Sequence, residues 1–315
     1  MRRLVFLFVL LPAFLPGCRN NPASKTDQLI IFHAGSLSVP FKMLADDFEE
    51  KNPGLKILME PAGSLVCARK ITELKKPCDI IASADYFVIN QLIVPEYASW
   101  SIRFATNEIV IAFSEKSKYA GEINSQNWID ILLKKDVIYA RSDPDSDPCG
   151  YRSVLTFKLA EDYYHRPLLA DELQQKDRSF IRPKEVDLVA LIESNAVDYM
   201  FQYKSVAIQH NLLYIELPDE INLGNPSMNG IYSLVHHNVT GSKPGSSMRI
   251  TGEYINYSLS VLKNAPNSSK AVEFVEFIIS PEGMDIFRKS GQDPIIPFST
   301  EQPDLLPWNL KKHLK

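Results

Sequence analysis

The stretch SDPDSDPCGYRS, residues 142–153, sets three aspartates, two prolines, a cysteine and a glycine between two apolar runs. Val137, Ile138, Tyr139 and Ala140 precede it; Val154, Leu155, Phe157, Leu159 and Ala160 follow. The first run reads as a strand over 137–140 and the second, by its three-to-four spacing, as a helix over 155–164. A strand that ends in a polar loop and restarts as a helix is an α/β unit, and in open α/β sheets ligands sit in the crevice at such carboxyl edges. The loop therefore reads as half of a small-ligand site or, from its composition alone, as a solvated Asp/Pro turn that caps the helix.

Upstream, the same unit occurs three times. An apolar strand over 28–33, of the kind buried in parallel sheets, leads into Ala34, Gly35, Ser36 and Leu37. A helix over 40–51 follows, with Phe41, Leu44, Ala45 and Phe48 on one face, and Asn52, Pro53 and Gly54 stop it. A second strand, over 55–60, runs into Ala62, Gly63 and Ser64 and a helix carrying Val66, Ala68, Ile71 and Leu74; a third, over 79–82, runs into Ser83, Ala84, Asp85 and Tyr86. Each junction offers helix N-terminal amides and a neutral hydroxyl, although any one of these serines also reads as a plain N-cap.

Downstream, residues 104–113 read as one long strand, near which the chain leaves the first lobe. Pro183, Lys184, Glu185 and Val186 open a helix, 197–201 and 214–217 are strands, and 231–235 alternates as an edge strand does. A returning strand over 254–262, helices over 268–279 and 281–290, and a polar, basic tail over 299–315 anchored by Trp308 complete the chain.

A chain of 315 residues exceeds one ordinary core and implies two lobes. Arg2, Arg3, an apolar run to Leu15 and then Pro16, Gly17 and Cys18 form a secretory signal over 1–17, too short for a stable membrane span. The ending Leu15-Pro16-Gly17-Cys18 resembles a bacterial lipobox, with Pro16 departing from the usual residue; the resemblance implies lipid on Cys18 and a tether over 18–27. Loss of the signal removes Arg2 and Arg3 and so moves the net charge from −4 to −6. That balance argues against a nucleic-acid partner and requires any anion site to be local. Outside the cytoplasm a disulfide is permitted, and Cys67 and Cys78 are close enough in sequence to form one.

Seven segments, in order, carry a resemblance over about residues 28–298: HAGSL (33–37), EPAGSLVCARKI (60–71), IIASADY (80–86), DPCGYRS (147–153), RPKEVDLVALIES (182–194), DYMFQYKSVA (198–207) and ELPDEINLG (216–224). They resemble the periplasmic-binding-protein type II class and, within it, the molybdate/tungstate-binding proteins of ABC importers, in particular the archaeal-type tungstate branch. The resemblance implies an α/β fold of two lobes, 28–108 plus 252–315 and 109–251, with the ligand cleft between them. It implies a monomeric, lipid-anchored protein of the periplasm or cell surface that captures tungstate or molybdate for an ABC permease. No catalysis and no resident cofactor are expected. Carried over residue by residue, the oxyanion contacts fall on Gly35, Ser36 and Ser64 of the first lobe and on Asp147, Pro148, Cys149, Glu185 and Tyr203 of the second. The segment between the acidic loop and RPKEVDL is shorter than in the archaeal proteins, and Cys67 and Cys78 lie outside the family pattern.

Carboxylates are unusual partners for a dianion, because like charges in a partly dry cleft repel by several kcal/mol. Sulfate offers no compensation, since its sulfur stays four-coordinate. Hexavalent tungsten or molybdenum is a hard centre that adds oxygen ligands, so Asp147 and Glu185 are expected to ligate the metal itself. Apart from the resemblance, Glu185 reads first as a first-turn glutamate favoured by the helix dipole. Competing readings are a site for sulfate or another small anion, a cation held by Asp143, Asp145 and Asp147, and an enzyme with Cys149 as nucleophile and His165, His210 or His237 as base.

Overall fold

A computed structural model describes residues 27–241 and 245–314. The signal segment, Cys18 and nearly all of the tether lie outside the described residues. The strands are β1 (Asp27–Ala34), β2 (Leu55–Ala62), β3 (Ile80–Ser83), β4 (Ile102–Asn107), β5 (Ile109–Phe113), β6 (Tyr139–Ser142), β7 (Ile181–Arg182), β8 (Tyr199–Tyr203), β9 (Leu213–Glu216), β10 (His236–Thr240), β11 (Ser247–Thr251), β12 (Ile255–Val261) and β13 (Asp293–Ser299). Six form one sheet in the order β13-β4-β12-β3-β1-β2, five form another in the order β7-β6-β8-β5-β9, and β10-β11 is a hairpin. β1 pairs in parallel with β2 and β3, as crossover helices require, while β12 runs antiparallel to β3 and β4. The two sheets, each covered by helices, make the two-lobed α/β architecture.

The apolar strands dictate this layering. Leu29, Ile31 and Phe32 in β1, Ile80 to Ala82 in β3 and all of β5 are buried, so both faces of each central strand need helical cover. In the second lobe Phe201 is the hub, with the rings of Phe157, Tyr139 and Trp128 edge-on at 4.6, 5.7 and 6.0 Å.

Residues 104–113 are two strands rather than one: β4 and β5 belong to different sheets, and Glu108 between them is the crossing. The carbonyl of Glu108 accepts from Lys204 N–H, and its carboxylate meets Lys204 Nζ at 2.7 Å and Asn222 Nδ2 at 2.9 Å. These partners are distant in sequence, so the apolar flanks alone conceal the break.

Residues 231–235 are not an edge strand. Asn229–Tyr232 is a helical turn, because Tyr232 is fully buried and its hydroxyl donates to the Asp219 carbonyl, which leaves Leu234 exposed. At the C-terminus Trp308 is 78% exposed and anchors nothing; Leu306 and Leu310 are the buried residues. β13 escapes a pattern reading because Pro294 and Pro297 interrupt it, which an edge strand tolerates. Cys67 and Cys78 are free, buried thiols; Cys67 points at the His33 carbonyl and Cys78 at the Ile80 carbonyl. Among the described residues no helix is long and apolar enough to cross a membrane.

Candidate functional site

The strand-to-helix junctions of the first lobe face the acidic loop and Glu185 of the second. After β1, Gly35–Leu37 is a 3-10 turn that leads into the helix Ser38–Lys51, and all three turn residues are buried. Ser36 N–H donates across the lobes to Glu185 Oε1 at 2.5 Å, while its hydroxyl accepts from Tyr257 at 2.9 Å. After β2, Gly63 caps the helix Ser64–Thr72, and the Ser64 hydroxyl accepts from Ala84 N–H at 3.0 Å. His33, just before the first junction, is held neutral: burial lowers its pKa to about 4, so it adds no positive charge.

In the second lobe β6 ends at Ser142, two residues beyond the expected strand. The helix starts at Pro148 rather than 155, because Asp147 Oδ1 caps Cys149 N–H at 3.2 Å and Pro148 occupies the first helical position, where its missing N–H costs nothing. The three loop aspartates differ in role. Asp143 ties the turn by accepting from Asp145 N–H and the Ser146 hydroxyl, and Asp145 accepts from Thr240 N–H in the hairpin. Only Asp147 turns inward. No group of acidic, histidine or cysteine side chains suited to a simple cation occurs among the described residues. Glu185 lies two residues ahead of the helix Asp187–Glu193, not in its first turn, and its Oε1 is taken by Ser36 N–H of the other lobe. Its carbonyl accepts from Gln202 Nε2 at 2.8 Å.

Asp147 and Glu185 are both fully buried, and Asp147 Oδ2 and Glu185 Oε2 have no hydrogen-bond partner. Burial first, and then the neighbouring Glu185 charge, push the Asp147 carboxyl well above the usual carboxylate range. Two acceptors this close need a proton or an electrophilic centre between them. Ser142, absent from the sequence reading, adds a fully buried hydroxyl within hydrogen-bonding reach of the Asp147 carboxyl.

Tyr203, at the end of β8, is fully buried; its ring meets that of Tyr257 at 5.9 Å and its hydroxyl accepts from Arg152 Nη1 at 3.3 Å. Cys149 is enclosed beside Gln202, and burial together with the carboxylates of Asp147 and Glu185 pushes its thiol well up, opposite to what a nucleophile requires. The structure thus brings Gly35, Ser36, Ser64, Asp147, Pro148, Cys149, Glu185 and Tyr203 to the junction between the lobes. Tyr257, Ser142, Asp85 and Arg152 join them without having been anticipated. Asp85 and Arg152 stand inside the quoted segments IIASADY and DPCGYRS, but a charge pair between two segments leaves no periodic signal.

The bacterial extracellular solute-binding protein family matches residues 29–292. The molybdate/tungstate-binding protein WtpA of Pyrococcus abyssi is 46% identical, covering 93% of this chain and 92% of its own. The periplasmic molybdate-binding protein of Azotobacter vinelandii superposes with a TM-score of 0.62 at 16% identity, covering 84% of this chain and 98% of that one. The sulfate-binding protein SubI of Mycobacterium tuberculosis gives the same TM-score at 12% identity, over 85% and 87%. These last two establish the fold alone, and the fold does not choose between the anions.

Proposed function

This chain belongs to the bacterial extracellular solute-binding proteins, and from that membership and its site we propose that it captures tungstate or molybdate outside the cytoplasm and delivers it to an ABC importer. The carrying observation is the pair of orphaned, fully buried oxygens Asp147 Oδ2 and Glu185 Oε2, set opposite the neutral donors of Gly35, Ser36 and Ser64. A hexavalent metal oxyanion suits that set: hydroxyls and amides hold its oxo groups, and the two carboxylates complete the coordination of the metal. Sulfate has no electrophilic position for them. The oxyanion is cargo, and nothing in this reading asks the chain to transform it.

Small-angle scattering is expected to show compaction when tungstate is added to the ligand-free protein, because the donors sit on both lobes and must converge. Binding without any change in radius would remove the two-lobe capture mechanism. The N-terminal signal and Cys18 support a lipid-anchored protein held where a permease meets it, since two acyl groups anchor firmly without a spanning helix. Cys18→Ser is expected to move the protein from the membrane to the soluble fraction; fractionation unchanged from wild type would remove the anchor.

A further inference from the structure

Directly behind the cargo-holding residues, a second cluster joins the lobes. Asp85, the N-cap of the helix Tyr86–Leu92 in the first lobe, and Arg152, in the helix Pro148–Tyr163 of the second, are each 2% exposed. Arg152 Nη2 lies 3.0 Å from Asp85 Oδ2, off the hydrogen-bond axis, and Nη1 donates to the Ala84 carbonyl at 2.7 Å. The Tyr151 hydroxyl donates to the same Asp85 oxygen at 2.5 Å, and Asp85 Oδ1 accepts from Phe87 N–H at 2.9 Å.

We propose that Asp85, Arg152 and Tyr151 form an interlobe latch that assembles only when the cleft closes and that sets how long the cargo stays bound. The latch presupposes the oxyanion-capture reading. Arg152 touches the site indirectly, through the Tyr203 hydroxyl and through Ala84, whose N–H donates to Ser64 Oγ. It is a positioning residue: with the lobes apart both charges face water, and with the lobes together each is the other's compensation. Removing Asp85 leaves the buried Arg152 charge with only the neighbouring Glu253 against it, and removing Arg152 leaves Asp85 and Glu253 repelling each other; either is a penalty of the closed state alone, while removing both partners is not.

The sign separates this from plain electrostatics. Asp85→Asn removes a negative charge near a dianion site, so electrostatics alone predicts tighter binding; the latch predicts looser binding. Asparagine still caps the helix.

Stopped-flow measurements with tungstate are expected to show dissociation from Asp85→Asn at least about fivefold faster than from wild type, with association within about twofold. The ligand-free melting temperature stays that of wild type, while the rise given by tungstate shrinks. Asp85→Asn combined with Arg152→Met is expected to recover most of the lost residence time. Wild-type dissociation rates in Asp85→Asn, tighter binding, or a ligand-free melting temperature that falls as far as the loaded one would overturn the latch while leaving the capture function intact. A wild-type protein that binds neither tungstate nor molybdate would overturn the capture function, and the latch's role in holding cargo with it.

Discussion

Gly63→Ala is expected to weaken tungstate binding at least about a hundredfold, roughly 2.7 kcal/mol, without unfolding either lobe. Gly63 has ordinary backbone angles, φ −58° and ψ 142°, which alanine adopts without strain. What excludes a side chain is the opposite lobe: a Cβ there would stand 2.2 Å from the Ser146 carbonyl oxygen and 3.0 Å from that of Pro183. Both contacts are backbone, so neither can rotate away. Arg69 binds the same rim, donating to the carbonyls of Asp145 and Thr240 at 2.9 and 3.0 Å, and it loses both if the lobes stay apart. Calorimetry gives the affinity, scattering gives the lost compaction, and an unchanged ligand-free melting temperature shows that only closure was blocked. Wild-type affinity in this variant would mean that the cargo is held without the lobes meeting.

Asp147→Asn and Glu185→Gln are each expected to weaken tungstate binding at least about tenfold, roughly 1.4 kcal/mol. Simple electrostatics predicts the reverse, because either change removes negative charge from a fully buried position at the proposed oxyanion site. Ligation of the metal predicts a loss. Both variants preserve size, and the amide oxygen of Asp147→Asn would still cap the helix Pro148–Tyr163, so folding is not at issue. Glu185→Gln likewise keeps an oxygen to accept from Ser36 N–H. Sulfate binding, if measurable, is expected to stay constant or improve. X-ray absorption on the tungsten complex is expected to report six oxygen neighbours; a four-oxygen shell, or tighter binding in either variant, would eliminate carboxylate ligation.

Local chemistry made much of this legible in advance. The turns after β1, β2 and β3 follow from apolar runs cut by Gly and Ser, whereas only the family resemblance singles out Asp147, because the helix that it caps reads as starting at 155. Each of those turns is a pattern within a dozen residues, which is the range over which periodicity and capping act. Other features had no such pattern. Ser36 meets Glu185 across 149 positions, Tyr257 meets Ser36 across 221, and Tyr151 meets Asp85 across 66. Tyr257 stands in a strand buried along its whole length, where alternation no longer marks a functional face. The Glu108 break came from Lys204 and Asn222, and the free state of Cys67 and Cys78 from carbonyls that each thiol faces instead of the other. By itself the sequence determined which turns present donors and that an acidic loop separates a strand from a helix; which carboxylate caps that helix took the folded chain. Only the tertiary structure decided that two carboxylate oxygens end up buried without partners and that the lobes close on an ion pair, because desolvation and contact between distant segments exist only after the chain has folded.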